Sequence, residues 1–204
     1  MHCSYADTET SPSAAYLLPL LQRVLADCPA HAAAVDLGCG NGALTALLLG
    51  RPHWRATGVD ASPSGIRIAQ EAHPEIEFIL ADAAGPLDGL APGSFDLVTS
   101  VEVIEHLPEP RKLARNAFRL LRPGGLAVFT TPYHGYWKNL ALAGAGRMDA
   151  HFTALWDGGH VKFWSRKTLA ELLGEAGFTA LRFHGAGRLP YFWKSMVAVC
   201  RKPA

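Results

Sequence analysis

The chain has 204 residues, 49% hydrophobic and 18% charged, and 19 Lys and Arg against 18 Asp and Glu leave a net charge of +1. That length fits one domain with a proper core, and the even charge without a dense basic run argues against nucleic acid as a main partner. Cys3, Cys28, Cys39 and Cys200 lie far apart with no CxxC pair, which argues against a zinc ribbon or a disulfide scaffold and suits a reducing compartment. Apolar runs fall short of the roughly 20 residues a bilayer span needs. Residues 1–12 carry acids and no apolar core, so no signal peptide is read there and a cytoplasmic location is expected.

Short apolar runs alternate with helical patterns, which predicts an α/β fold with a parallel sheet. Residues 33–37 (AAVDL) read as a buried strand, followed by a glycine-rich turn and a helix over 43–49. A second strand spans 54–59, and Pro63 opens a helix to about Ala72, a first-turn position that suits proline. Strands follow at 76–80 and 95–100, then a helix at about 109–121, stopped by Arg122-Pro123-Gly124-Gly125 before a fifth strand at 126–130. After Pro132 the rhythm breaks, and residues 133–160, rich in aromatics, Gly and His, read as an insertion. Ser165 looks like the N-cap of a helix to about Ala176, with Gly177 ending it. Residues 178–183 and 196–200 complete seven strands in one domain covering 1–204.

Chemistry gathers first at Asp36-Leu37-Gly38-Cys39-Gly40-Asn41-Gly42, where a strand turns into a helix. Glycine tolerates positive φ and lacks a Cβ, so a bulky ligand can lie against the backbone. Asp60 ends the second strand about 20 residues on, where an acid commonly accepts both hydroxyls of a ribose. Asp82 ends the third, where a carboxylate can accept a hydrogen bond from an exocyclic amine. Either acid alone also reads as a surface turn residue; the three features on consecutive strand ends argue for a nucleoside-type ligand. The glycine spacing lacks the pattern that brings a helix N-terminus to a diphosphate, which disfavours a nicotinamide dehydrogenase.

The segments VDLGCGNG, GVDAS, ADA, FDLVTSVEVIEHLPEP and LLRPGGLAVFTTP resemble, in order and spacing, the class I S-adenosylmethionine-dependent methyltransferases. The resemblance covers roughly residues 33–200. It implies a Rossmann-like seven-stranded, mostly parallel sheet of order 3-2-1-4-5-7-6, with strand 7 antiparallel and helices on both faces. It places Asp36, Gly38 and Gly40 around the methionine part of S-adenosylmethionine, Asp60 on the ribose and Asp82 beside the adenine, with Ala61, Ala83 and Val101 lining the same site. It also implies that the N-terminal segment (1–30), with a helix around Tyr16 to Leu25, covers the cofactor as a lid.

Past the fourth strand, Glu102, Glu105 and His106 stand at i, i+3 and i+4 and would share one face if the stretch is a helical turn. Two acids in contact need a compensating charge, and a divalent metal is one such compensation. This ExxEH pattern with a later His160 resembles the ubiquinone-biosynthesis-type O-methyltransferases and the small-RNA 2′-O-methyltransferases. The resemblance implies a metal site of Glu102, Glu105, His106 and His160 near the methyl acceptor, for which magnesium, manganese and zinc are chemically suitable. A metal-free reading stands beside it, in which Glu102 contacts cofactor and His106 braces the loop. His106 or His134 is then the candidate catalytic base.

The expected reaction is methyl transfer to a hydroxyl oxygen of a small molecule. The alternatives are N- or C-methylation of a metabolite and a non-catalytic module that only binds cofactor. Tyr133, Tyr136, Trp137, Phe152 and Trp156 either wall an acceptor pocket or pack the insertion as a lid. Trp137, Lys138 and Arg147 beside LALAGAG also suit a peripheral membrane surface, which is not the expected arrangement. A monomer or a homodimer is equally compatible with the sequence.

Overall fold

The computed structural model describes residues 5–204, so Cys3 and the start of the N-terminal segment lie outside the described residues. A seven-stranded sheet has the order β3-β2-β1-β4-β5-β7-β6. Its strands are β1 (Ala32–Leu37), β2 (Trp54–Asp60), β3 (Glu77–Leu80), β4 (Phe95–Val101), β5 (Leu121–Pro132), β6 (Thr179–Ala186) and β7 (Ser195–Arg201). Strands β1 to β5 pair in parallel, and β7 runs antiparallel to both β5 and β6. The helices are α1 (Ala14–Val24), α2 (Ala43–Leu49), α3 (Pro63–Ala72), α4 (Pro110–Leu120), α5 (Tyr136–Gly144), α6 (Met148–Phe152) and α7 (Arg166–Glu175).

Strand residues alternate between the faces of the sheet, and both faces are covered. Val98 and Phe129 pack with Leu113 of α4 and Leu169 of α7 on one side. Leu97 and Val128 pack with Leu17 and Leu21 of α1, Leu48 of α2 and Ile66 of α3 on the other. Central strands buried on both faces must be apolar throughout, which is why their sequences read as continuous runs. Ser62 caps α3 through its side chain, accepting the Gly65 amide at 3.2 Å, with Pro63 in the first turn. Ser165 caps α7 as its sequence predicts.

The insertion folds into α5 and α6. Strand β5 begins at Leu121, before the Pro-Gly-Gly turn rather than after it: Leu121 pairs with Phe95, and the register shifts before pairing resumes at Leu126 and Leu97. Among the described residues no helix is long and apolar enough to cross a membrane, and Cys28, Cys39 and Cys200 are free thiols.

Candidate active site

A cavity of about 630 Å³ opens at the carboxyl ends of β1, β2 and β4, the place where open α/β sheets bind ligands. Asp36, Gly38, Gly40, Asp60, Ala61, Asp82, Ala83 and Val101 all line it, so every residue expected to hold the cofactor meets at one place.

The glycine turn is built by backbone contacts to β2. The Gly38 and Cys39 amides donate to the Val59 carbonyl at 2.7 and 3.0 Å, and the Gly40 amide donates to Asp60 Oδ2 at 2.8 Å. Gly38 sits at φ +90°, and a Cβ there would collide with Val103 Cγ2; at Gly40, φ is +57° and a Cβ would meet the Tyr5 hydroxyl at 2.6 Å. Asp60 Oδ1 accepts the Ser62 amide at 2.8 Å, and Asp82 Oδ1 accepts the Ala84 amide at 2.8 Å. Asp36 differs from the others. It is buried, and its two oxygens accept the Thr45 and Thr99 hydroxyls at 2.6 and 2.7 Å. Burial raises its pKa while the two hydroxyls oppose that rise.

The N-terminal segment crosses the cavity before α1 begins, and Tyr5, Asp7, Glu9 and Ser11 line the opening. Asn41, inside the glycine turn, holds this strap by donating from Nδ2 to the carbonyls of Asp7 at 2.9 Å and Glu9 at 2.8 Å. The Tyr5 amide donates to Ser64 Oγ at 3.0 Å. The covering segment is therefore the extended chain ahead of α1, whereas α1 itself packs on the sheet through Leu17 and Leu21.

Beyond Val101 the chain does not form the helical turn that would align Glu102, Glu105 and His106. Glu102 takes φ +54°, and only Ile104–His106 forms a short 3-10 turn. Glu102 consequently faces different partners. Its carboxylate accepts Thr130 Oγ1 at 2.8 Å and Ser195 Oγ at 3.0 Å, and Ser195 is within 3.0 Å of the Tyr16 hydroxyl. Glu105, His106 and His160 do converge: each offers a ligand atom, and these lie within 4.8 Å of one another. Glu102, expected in the same group, does not join it.

The insertion brings His160 to this place through backbone bonds. The Val161 and Lys162 amides donate to the Glu105 carbonyl at 2.9 and 3.0 Å, and the His106 and His160 rings stand edge to face, 4.8 Å apart. His106 Nδ1 lies 3.0 Å from the Gly158 carbonyl. A carbonyl only accepts, so Nδ1 carries the proton and Nε2 keeps its lone pair in the neutral ring. Glu105 is 1% exposed, and neither carboxylate oxygen has a hydrogen bond of good geometry among the described residues, the Thr131 side chain being the nearby group that partly offsets its burial. Burial, then the neighbouring Glu102, push its pKa well above the usual carboxylate range. Burial lowers His160 to about 4.

His134, the other expected base, does not line the cavity. It is buried between Phe152, stacked at 5.6 Å, and Phe163, edge-on at 5.1 Å, and burial lowers its pKa to about 4. Of the five aromatics read as either walling an acceptor pocket or packing a lid, Trp156 alone lines the cavity. Tyr133 is in the core, Phe152 packs on His134, and Tyr136 and Trp137 are 72% and 58% exposed. Thr45, Thr99 and Ser195 escaped the sequence reading: Thr45 and Thr99 act through Asp36, 9 and 63 residues away, and Ser195 through Glu102, 93 residues away. Asn41 and Tyr16 stand in segments the sequence singled out, but their partners Asp7, Glu9 and Ser195 are distant in the chain.

A model of the methyltransferase domain family matches residues 11–182. A trans-aconitate 2-methyltransferase of Azoarcus sp. is 32% identical over 194 residues, covering 84% of this chain and 74% of that protein. A ubiquinone biosynthesis O-methyltransferase of Ralstonia nicotianae is 37% identical over 101 residues, covering 48% of this chain and 42% of the relative. Among solved structures, a phosphoethanolamine N-methyltransferase of Haemonchus contortus in complex with S-adenosyl-L-methionine superposes with a TM-score of 0.69 at 17% identity, covering 92% of this chain and 52% of the other. At that identity the likeness speaks for the fold.

Proposed function

The chain belongs to the class I S-adenosylmethionine-dependent methyltransferases, and from that premise we propose that it methylates a hydroxyl oxygen of a small molecule held against Glu105, His106 and His160. The observation that carries this reading is the meeting of those three side chains in the wall of the cofactor cavity, with a buried carboxylate that has no hydrogen bond of good geometry among the described residues. Transfer from a sulfonium carbon to oxygen needs an in-line approach and a place for the hydroxyl proton. When the neutral ring donates from Nδ1 to Gly158, His106 Nε2 is the atom with a lone pair to take it.

The same three residues fit a divalent cation. An uncompensated buried carboxylate beside two imidazoles is a donor set that manganese or zinc accepts readily and magnesium less so. A cation held there would lower the pKa of a bound hydroxyl. His160, neutral at physiological pH because burial lowers its pKa, is already in the ligating form. The ubiquinone-type relatives, named as O-methyltransferases, support oxygen as the target. The relative named for trans-aconitate supports a second reading, an acceptor bearing carboxylates.

The test is turnover with a 13C-methyl donor across phenols, polyols, polycarboxylic acids and amines, reading the attached atom from the methyl carbon shift. Label on a hydroxyl oxygen, reduced in Glu105→Gln, supports the reading; label confined to nitrogen or carbon overturns it. For the metal, titration of chelator-treated protein with manganese or zinc should show one site, lost in Glu105→Gln and in His160→Ala but kept in Glu102→Gln. Absence of that site overturns the metal component alone.

A further inference from the structure

A second cleft, of about 530 Å³, lies at the opposite end of the sheet from the methyl-transfer cavity. Its walls come from the beginnings of the parallel strands (Ala32 of β1, Asp96 and Leu97 of β4), from Gly124 to Leu126 of β5, and from the end of β7 at Val199 to Arg201. Helix α1 contributes Leu20, Arg23 and Val24, and β6 contributes Arg182 and His184. None of these residues takes part in the methyl-donor cavity.

The charges in the cleft do not cancel. Arg23, Arg122, Arg182 and Arg201 line it, against Asp27 and Asp96. Asp96 is already engaged, since it accepts the Ala33 amide at 2.7 Å and pairs with Arg122 at 2.5 Å. Arg201 donates to the Gly124 carbonyl at 2.9 Å. Arg23 and Arg182 remain, and neither makes a side-chain hydrogen bond or an ion pair among the described residues. The last turn of α1 favours a cation and accounts for Arg23 in part. It does not account for Arg182, which a different element directs into the same cleft. Between the arginines the lining is hydrocarbon: Leu20, Val24, Leu97, Leu126 and Val199. A pocket of this size, with apolar side chains beside convergent charged groups, has the character of a site for a small amphiphilic molecule.

We propose that this cleft is a second ligand site, for a small amphiphilic anion whose carboxylate or phosphate head is held by Arg23 and Arg182 and whose hydrocarbon body lies on Leu20, Val24 and Val199. A guanidinium presents a planar fork of donors that matches either head group, and pairing with a charged oxygen strengthens each bond. The site is independent of the acceptor's identity and of which atom is methylated.

Calorimetry on the full chain saturated with S-adenosylhomocysteine tests it, because the first cavity is then filled. Octyl phosphate and octanoate, each below its micellar concentration, are the probes, with 1-octanol and octyltrimethylammonium as controls. Saturable binding of one anion per chain is expected, weakened at least about tenfold in the Arg23→Gln/Arg182→Gln variant and absent for the cation. A preference for octyl phosphate assigns a phosphate ester and a preference for octanoate a carboxylate. S-Adenosylhomocysteine affinity should be unchanged in the variant, which reports that it folds. No saturable binding of either anion, equal binding in the variant, or equal binding of the cation would overturn the proposal.

Discussion

The amide of Gly40, in the turn after β1, donates to Asp60 Oδ2 at the end of β2, 2.8 Å away. With the Ser62 amide on Oδ1, this contact orients the Asp60 carboxylate before any ligand arrives. A carboxylate has about four lone-pair directions, so two amide contacts leave capacity for a diol. Preorganisation of this kind raises affinity by removing an ordering cost.

Gly40 also sets how closely the N-terminal strap approaches. Gly40→Ala would put a methyl group on the Tyr5 ring at a φ that L side chains rarely adopt. Strain of this kind costs about 1–3 kcal/mol. We expect S-adenosylhomocysteine to bind about tenfold more weakly, with part of the loss recovered in Gly40→Ala/Tyr5→Ala, where the collision is removed. Wild-type affinity in the single variant would contradict the strap's role.

Glu105 is retained at a cost to the unliganded fold. It is buried, its pKa is raised by burial and by Glu102, and its oxygens have no hydrogen bond of good geometry among the described residues. Replacing it with the uncharged isostere in Glu105→Gln should stabilise chelator-treated, unliganded protein at neutral pH by about 1–3 kcal/mol. Urea unfolding measures this. A destabilised variant would mean that Glu105 is a structural residue, with its charge compensated in the free protein.

His134 contributes a pH dependence of defined sign. Its pKa is lowered to about 4 in the folded chain, against an ordinary 6.5, so between those values the unfolded chain binds a proton that the folded chain does not. Stability therefore falls as pH drops from about 6.5 towards 4. His151 and His160, also lowered, act in the same direction. His134→Phe keeps a ring against Phe152 and removes one titrating group. Its urea midpoint should vary less steeply over that range, and S-adenosylhomocysteine binding should be retained because His134 lies outside the cavity. An unchanged slope, or lost binding, would contradict this placement.

The sequence shows the cofactor half of the site better than the acceptor half, for a physical reason. Asp36, Gly38, Gly40, Asp60 and Asp82 sit at strand ends, and in a parallel sheet strand ends meet at one edge, so finding the strands locates the ligand. Helices α2 (43–49) and α3 (63–72) likewise carry their own punctuation in Gly42 and Pro63. The ExxEH stretch carries no such local determinant. Its helical spacing fails at Glu102, whose positive φ is held by Thr130 and Ser195, 28 and 93 residues away. His160 arrives only because the Val161 and Lys162 amides bind the Glu105 carbonyl. The insertion hides α5 and α6 because its Gly and aromatic content masks a short helical period.

Asp60 is the acid expected to hold the methyl donor in the cavity at the carboxyl ends of β1, β2 and β4. Calorimetry of S-adenosylhomocysteine with wild-type protein and Asp60→Ala tests it most directly, with circular dichroism to verify folding. One site per chain is expected in the wild type, with at least about tenfold weaker binding in the folded variant, as for removal of charge-assisted hydrogen bonds. No binding to the wild type, or equal affinity in Asp60→Ala, would contradict it.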